Sequence, residues 1–348
     1  NKKDADIDSL IKSPLSKINK IDYNQINKPE NIFIGRKNSL GIDLTEENNI
    51  ELFSNLENIE NVKPTSVVNG SDKFTDVKEV IVSPYNRLKI LGEVYYADDN
   101  VIKETIEKLT SYSKEWKNTD LDYRIDIVNN FANLLENNYH TLVSCCVKEA
   151  GKTIQDSIAD IREAIDFCRY YAEEAKIIFK EKHLPGPTGE KNIYQLKGRG
   201  LTCVISPWNF PIAIFVGQMI ASLVCGNVTI AKPAEQTSNL SYVIFRLLLK
   251  AGLPNNAAAV ILGKGAEIGP KIFSNMNLQN VVFTGSLETA KIIQRQLHER
   301  DDLINLIAET GGLNCLIADS SALTEHIVED VISSAFNSAG QRCSACRI

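Results

Sequence analysis

The stretch GLTCVISPWNFPIAIFVGQMIASLVCGNVTIAKPAEQT, residues 200–237, decides the fold. It contains two short apolar runs rich in β-branched residues, Gly200–Ser206 and Asn227–Lys232, and both runs are typical of buried strands. The apolar run Ile214–Cys225 between them predicts a helix. A strand, a helix and a second strand in this order predict two parallel strands joined by a crossover helix.

The same alternation continues toward the C-terminus. Further strands are predicted at Ala258–Leu262, Asn280–Thr284 and Ile304–Ala308, with helices at Ser238–Ala251, Glu267–Phe273 and Glu288–Glu299. Earlier helices are predicted at Val101–Lys117, Tyr123–Asn137, Tyr139–Ala150 and Thr153–Phe179. The predicted fold class is therefore α/β, a Rossmann-like parallel sheet with helices on both faces. In such sheets ligands bind beyond the carboxyl ends of the strands.

Composition and charge exclude several classes of function. A net charge of −6 and a pI near 5.5 argue against a nucleic-acid or anionic-membrane partner. The most apolar stretch, Pro211–Cys225, is about 15 residues long and too short to span a bilayer. Four histidines without paired spacing predict no metal site. Eight cysteines without a preceding secretory signal predict a reducing, cytoplasmic location.

Three motifs resemble known sites but lack the required context. The segment GKT at 151–153 ends like a phosphate-binding loop, but it lies between predicted helices and Cys146 stands where the loop needs glycine. The loop GKGAEIG at 263–269 nearly matches a dinucleotide fingerprint, with its third glycine one residue late, and is interpreted as a tight turn. The CSAC segment at 343–346 is a single CxxC pair, which does not predict zinc.

Five other motifs fit one reaction when they are taken together. They are SPWNFP at 206–211, KPAE at 232–235, FTGS at 283–286, ETGG at 309–312 and GQRC at 340–343. The first three follow or end predicted strands, and FTGS places a serine at a helix N-terminus, where anions bind. Each motif alone has an ordinary structural explanation, such as a helix cap, a solvated loop glutamate or a structural cysteine. Their order and spacing distinguish them from such features.

The sequence closely resembles the aldehyde dehydrogenase superfamily from about residue 206 to residue 347. Within it, the chain is most similar to the glutamate-semialdehyde (1-pyrroline-5-carboxylate) dehydrogenase half of the bifunctional proline utilisation flavoenzymes. This closer resemblance rests on GRG at 198–200, IAKPAEQT at 230–237, AETGG at 308–312, DSSAL at 319–323 and SAGQRCSA at 338–345. The arm RKNSLGIDL at 36–44 resembles the join between the two enzymes of those proteins.

The resemblance implies a catalytic role for three residues and NAD as the cofactor. Cys343 is the implied nucleophile, Glu309 the base that activates water, and Asn209 the oxyanion-binding amide, together with the backbone N–H of Cys343. Further residues are implied to bind the cofactor: Lys232 and Glu235 at the adenosine ribose, Gly285 and Ser286 at the pyrophosphate, and Ser206, Pro207 and Trp208 nearby. A carboxylate on the ribose hydroxyls favours NAD over NADP.

The substrate contacts are also implied by resemblance, at Glu163, Phe210 and Arg342. Arg342 beside the nucleophile suits a substrate carboxylate and favours the thiolate. The alternative interpretation is that Glu163 and Arg342 are structural ion-pair partners. No metal ligand is expected.

The implied function is NAD-dependent oxidation of glutamate 5-semialdehyde to glutamate in proline catabolism. Two alternatives stand beside it, a non-catalytic NAD-binding remnant and a dehydrogenase of a different aldehyde. The family continues well past its nucleophile, so the chain is expected to be truncated at its C-terminus. The family also implies a homo-oligomer for the full-length enzyme and a proline dehydrogenase domain with FAD upstream.

The expected domain organisation has three parts. Residues 1–75 are predicted to be a linker and N-terminal arm, because they are rich in Asn, Lys, Asp and Ile without sustained periodicity. Residues 76–308 are predicted to form the NAD-binding domain with its N-terminal helices and a protruding hairpin near 183–200. Residues 309–348 are predicted to begin the catalytic domain that carries the nucleophile.

Overall fold

The computed structural model describes residues 11, 13, 27–56, 59 and 62–348, in two compact units, Asn1–Asn38 and Ser39–Ile348. In the first unit a 3₁₀ turn spans Pro29–Asn31, and the Arg36 guanidinium lies 3.8 Å from the centre of the Phe33 ring. Much of the predicted linker, residues 1–10, 12 and 14–26, lies outside the described residues. The second unit contains all of the motifs described above.

The second unit alternates strands and helices. Its strands are β1 Ser66–Val68, β2 Ser71–Lys73, β3 Lys78–Val82, β4 Ile90–Tyr95, β5 Lys182–Leu184, β6 Asn192–Tyr194, β7 Leu201–Ile205, β8 Val228–Lys232, β9 Ala258–Val260, β10 Leu278–Gly285 and β11 Asn305–Thr310. Its helices are α1 Glu47–Leu52, α2 Asp99–Asn118, α3 Leu121–Glu136, α4 Tyr139–Cys145, α5 Ile154–Ile178, α6 Ala213–Val224, α7 Ser238–Lys250, α8 Gly265–Phe273, α9 Leu287–His298 and α10 Thr324–Val331. The predicted strands and helices from residue 101 to residue 308 are thereby confirmed.

Seven strands form the main sheet in the order β11-β10-β7-β8-β9-β1-β2. The five strands from β11 to β9 are parallel, whereas β1 and β2 are antiparallel additions at one edge. The chain runs outward from β7 through β8 to β9 and then returns to place β10 on the other side of β7. The strand order therefore reverses beside β7, and such a point opens a crevice for ligands.

Two groups of helices cover the sheet. The helices α6 and α7, which follow β7 and β8, both pack with α3, and α6 also packs with α5, whereas α8 packs with α2 and α9. The contact between α5 and α6 is close, because a Cβ atom at Gly217 would lie 2.9 Å from the Phe167 ring. Helices on both faces of a mostly parallel sheet confirm the predicted α/β class.

Four strands that were not predicted from the sequence, β1 to β4, lie between residues 66 and 95. Strands β1 and β2 have only three residues each, and β2 is the polar sequence SDK. Such short segments show no alternation of apolar and polar residues, so their pairing depends on the neighbouring β9. The strands β5 and β6 pair as an exposed hairpin within the segment where the sequence predicted one.

Candidate active site

The carboxyl ends of the parallel strands bring the separate motifs to one edge of the sheet. The last residue of β7, Ile205, pairs with Lys232 of β8 on one side and with Phe283 of β10 on the other. Thr284 of β10 pairs in turn with Glu309 of β11. The motifs at 206–211, 232–235, 283–286 and 309–312 therefore begin at adjacent positions on this edge.

Cys343 and Glu309 line the same cavity, which has a volume of about 770 Å³. Both residues are exposed. The rest of the lining is mostly apolar and includes Phe167, Tyr171 and Ile307. A thiol and a carboxylate that face one cavity can act in turn on a single bound molecule. The structure thus brings together the predicted nucleophile and the predicted base, which are 34 residues apart (343 − 309).

The segment that carries Cys343 is held from two sides by side-chain amides. Asn209 Nδ2 donates to the Gln341 carbonyl oxygen over 2.8 Å, so the predicted oxyanion amide lies beside the nucleophile loop. Asn314 Nδ2 donates to the Cys343 carbonyl oxygen over 2.7 Å. Asn314 was not predicted, although its position two residues after the ETGG motif was a usable signal.

Cys343 differs in its environment from the cysteines of the core. Cys145, Cys146, Cys168 and Cys203 are fully buried, and burial raises the pKa of Cys203 to about 12. A thiol with such a pKa stays protonated and does not react as a nucleophile. Cys343 and Cys315 are exposed. Of these two, only Cys343 lines the cavity that contains Glu309, among the residues that the structure describes.

Lys232 and Glu235 lie at the end of β8, as the cofactor prediction requires. The Lys232 ammonium is buried, donates to the Pro233 carbonyl oxygen over 2.8 Å and lies 3.4 Å from a Glu235 carboxylate oxygen. Burial lowers the pKa of Lys232, while Glu235 opposes this effect. A Cβ atom at Gly265 would lie 3.7 Å from Lys232 Nζ, so the start of α8 directly adjoins this ammonium.

The remaining predicted cofactor residues are at neighbouring strand ends. Ser286 caps α9, because its hydroxyl accepts from the Thr289 N–H over 3.1 Å, and Gly285 directly precedes it. Ser206 is buried, and its hydroxyl oxygen has no hydrogen-bond partner among the described residues. Pro207 is half-buried and Trp208 is exposed.

The three predicted substrate residues have different surroundings in the structure. The Arg342 guanidinium donates to the carbonyl oxygens of residues 333, 334 and 337, over 2.7 to 3.1 Å. Glu163 keeps an exposed surface on α5, and its pKa is raised by desolvation and by the charge of Asp160. Phe210 lies against Lys152, whose Nζ is 4.6 Å from the ring centre. Their roles in substrate binding remain predictions.

Three buried ionisable side chains behind the site, Lys152, Asp160 and Glu149, were not predicted from the sequence. Lys152 and Asp160 form an ion pair of 3.1 Å beneath the Asn209 loop. The Glu149 carboxylate accepts from the backbone N–H groups of Asn239 and Leu240, at the start of the helix that follows the KPAE motif. The GKT segment contains Lys152, so the motif was noticed, but its contacts depend on the tertiary structure.

Among the described residues, no helix is long and apolar enough to cross a membrane. A search of the same residues for groups of three or more His, Cys, Asp or Glu side chains placed to bind a metal ion finds none.

Comparison with known proteins places these features in one family. The model of the aldehyde dehydrogenase family matches residues 73–348, which is most of the chain. The bifunctional protein PutA of Salmonella typhimurium is 36% identical over 364 residues, covering 98% of this chain and 26% of that protein. The 1-pyrroline-5-carboxylate dehydrogenase of Staphylococcus saprophyticus is 32% identical over 317 residues, covering 89% of this chain and 62% of that protein.

Solved structures give the same result. The crystal structure of proline utilization A from Bdellovibrio bacteriovorus superposes with a TM-score of 0.86 at 30% identity, covering 92% of this chain and 34% of that chain. The 1-pyrroline-5-carboxylate dehydrogenase of Thermus thermophilus superposes with a TM-score of 0.85 at 27% identity, covering 90% of this chain and 63% of that chain. The chain thus spans about a quarter of the length of the curated bifunctional relatives.

Proposed function

The chain belongs to the aldehyde dehydrogenase family, and on that premise we propose that it carries out the NAD-dependent oxidation of glutamate 5-semialdehyde to glutamate. The observation that carries the proposal is the shared cavity of Cys343 and Glu309, beside the strand ends that bear the cofactor motifs. The names of the relatives, 1-pyrroline-5-carboxylate dehydrogenase and PutA, support the choice of aldehyde.

The residues at the strand ends fit a dinucleotide. Lys232 and Glu235 offer a cation and a carboxylate to ribose hydroxyls, and the start of α8 at Gly265 directly adjoins the Lys232 ammonium. The N-terminus of α9 at Ser286 suits a pyrophosphate, because backbone N–H groups there attract anions. The unpartnered Ser206 hydroxyl offers one further polar contact. Glu235 would repel a 2′-phosphate, which supports NAD rather than NADP.

The side chains of the site supply the covalent steps. The Cys343 thiolate bonds to the aldehyde carbon, and the carbonyl oxygen becomes an alkoxide that the Asn209 amide and the Cys343 N–H stabilise. NAD, held by the residues at the strand ends, would supply the hydride acceptor, and loss of the hydride from this carbon leaves a thioester on Cys343. Glu309 then takes a proton from water as the water oxygen attacks the thioester carbon. The carbon–sulfur bond breaks, which releases the acid and returns the thiolate.

The same proposal includes the residues that bind the substrate. It also includes the assembly of the whole protein. Glu163, Phe210 and Arg342 are proposed to contact the amino and carboxylate groups and the chain of the substrate. The proposed domain boundaries lie between residues 75 and 76 and between residues 308 and 309. A homo-oligomer, an upstream proline dehydrogenase domain with FAD and a cytoplasmic location are proposed for the whole protein.

Formation of NADH from glutamate 5-semialdehyde and NAD, followed by absorbance, tests the proposal. Turnover is expected with the parent chain and with Cys315→Ala, a matched control at another exposed cysteine, and it should be lost in Cys343→Ala. Faster turnover of an aldehyde that lacks the carboxylate and amino groups would overturn the choice of substrate. Undetectable turnover with NAD still bound in calorimetry would support the non-catalytic alternative.

A further inference from the structure

Lys152 and Asp160 form a buried ion pair directly beneath the loop that carries Asn209. Their side chains are 6% and 0% exposed, and Lys152 Nζ lies 3.1 Å from Asp160 Oδ2. Lys152 follows Gly151, whose φ of 67° ends one helical segment, and precedes Thr153, which caps α5. The lysine backbone is therefore fixed at a junction between two helices.

Both members of the pair also bond to the backbone of the loop. Lys152 Nζ donates to the Asn209 carbonyl oxygen over 3.1 Å. Asp160 Oδ1 accepts from the Ala213 N–H over 2.8 Å, at the first residue of α6. The two bonds hold the loop at residues 209 and 213, on either side of the turn that contains Pro211. The Lys152 ammonium also lies 4.6 Å from the centre of the Phe210 ring.

This arrangement constrains the backbone from which the Asn209 amide projects. The carbonyl of Asn209 is held from below by Lys152, while its Nδ2 donates on the other side to Gln341, two residues before Cys343. A buried ion pair is costly to desolvate, and apolar side chains of the same volume often stabilise a fold equally well. The pair therefore calls for an explanation other than stability, and its two backbone bonds provide one.

We propose that Lys152 and Asp160 are positioning residues that set the direction of the Asn209 amide toward the reacting oxygen at Cys343. The role given to Asn209 rests on the proposed dehydrogenase function, whereas the effect on the loop does not. A small displacement of an oxyanion donor removes much of its benefit, because the donor must meet the oxygen at hydrogen-bond distance.

The test compares the parent chain with three variants. Lys152→Met/Asp160→Asn removes both charges yet keeps an oxygen that can accept from the Ala213 N–H, so no buried charge is left unpaired. Lys152→Arg keeps a cation beside Asp160. Lys148→Met is the matched control, because this half-buried lysine of the preceding turn bonds to the Leu56 carbonyl oxygen instead.

The first readout is the fluorescence of Trp208 and its quenching by acrylamide, which needs no turnover. Trp208 is exposed and adjoins Asn209, whereas the other tryptophan, Trp116, is buried. The double variant is expected to change the quenching of the exposed tryptophan, and Lys148→Met is expected to leave it unchanged. Equal quenching in the folded double variant and in the parent would overturn the proposal.

The second readout separates the effect on kcat from the effect on KM. We expect the double variant to lose about 10- to 100-fold in kcat with a smaller change in aldehyde KM, and Lys152→Arg, which keeps the ion pair, to retain most of the kcat of the parent. A kcat within about twofold of the parent would overturn the positioning role. If the parent itself shows no turnover, the proposed function fails, and the Trp208 readout still decides whether the pair holds the loop.

Discussion

Replacing Glu149 by glutamine should remove a pH-dependent penalty on the stability of the fold. The Glu149 carboxylate is 4% exposed and accepts from the N–H groups of Asn239 and Leu240, over 2.8 and 2.9 Å. These are the first free N–H groups of α7, the helix that follows the cofactor motif at 232–235. No cation pairs with this carboxylate among the residues that the structure describes.

Burial raises the pKa of Glu149 from 4.5 to about 8, although the two backbone N–H groups oppose the change. The folded chain therefore holds a proton between these pH values that the unfolded chain has released. Stability is unaffected by the group below about pH 4.5 and falls as the pH rises toward 8. The difference, 8 − 4.5, corresponds to at most about 5 kcal/mol at about 1.4 kcal/mol per pH unit.

The Glu149→Gln variant cannot ionise, but it keeps only one of the two acceptor oxygens, so it should lose one of these hydrogen bonds at every pH. Its stability relative to the parent should therefore rise by several kcal/mol between about pH 5 and about pH 9. Urea unfolding measured across this range gives the two free energies. Glu93→Gln is the matched control, because Glu93 pairs with Lys78 at the surface and should change little with pH. A stability difference between Glu149→Gln and the parent that stays constant from about pH 5 to about pH 9 would refute the reasoning.

Three further predictions concern the thiols, the backbone and the cofactor. Iodoacetamide should modify Cys343 at least about tenfold faster than Cys203 in the folded chain, as mapped by peptide mass spectrometry, because burial raises the pKa of Cys203 to about 12. Gly198→Ala should lower the free energy of unfolding by more than about 2 kcal/mol in urea, because its Cβ would lie 2.6 Å from the Gly226 carbonyl oxygen. Glu235→Gln should narrow the preference for NAD over NADP by about tenfold or more in calorimetric Kd values, and an unchanged ratio would count against its ribose role.

The sequence was sufficient to predict the parallel sheet, because the strands are rich in apolar and β-branched residues and the helices between them are long. It was insufficient for β1 and β2, which are short and acquire their pairing only at the edge of the completed sheet. The strands predicted at Asn227–Lys232 and Asn280–Thr284 correctly placed Lys232 and Ser286 at one edge of the sheet. No periodicity indicated that Lys152 would bond to Asn209, 57 residues further along the chain, because that contact depends on how α5 packs against α6.

The sequence also did not predict the directions in which long side chains point. The position of Arg342 beside Cys343 predicts a cation for the substrate, a role that stays a prediction, but it does not predict that the guanidinium donates to three backbone carbonyl oxygens. A chain position fixes which residues are neighbours, whereas the direction of a long side chain depends on which acceptors surround it.

The most direct test of Cys343 as the nucleophile uses the Glu309→Gln variant, which lacks the carboxylate proposed to activate water for hydrolysis of the thioester. The variant is incubated with glutamate 5-semialdehyde and NAD, quenched with acid, digested and examined by peptide mass spectrometry. The account predicts that the peptide containing Cys343 carries the acyl group as a thioester that hydroxylamine removes. An unmodified Cys343, or an acyl group on Cys315 instead, would contradict it.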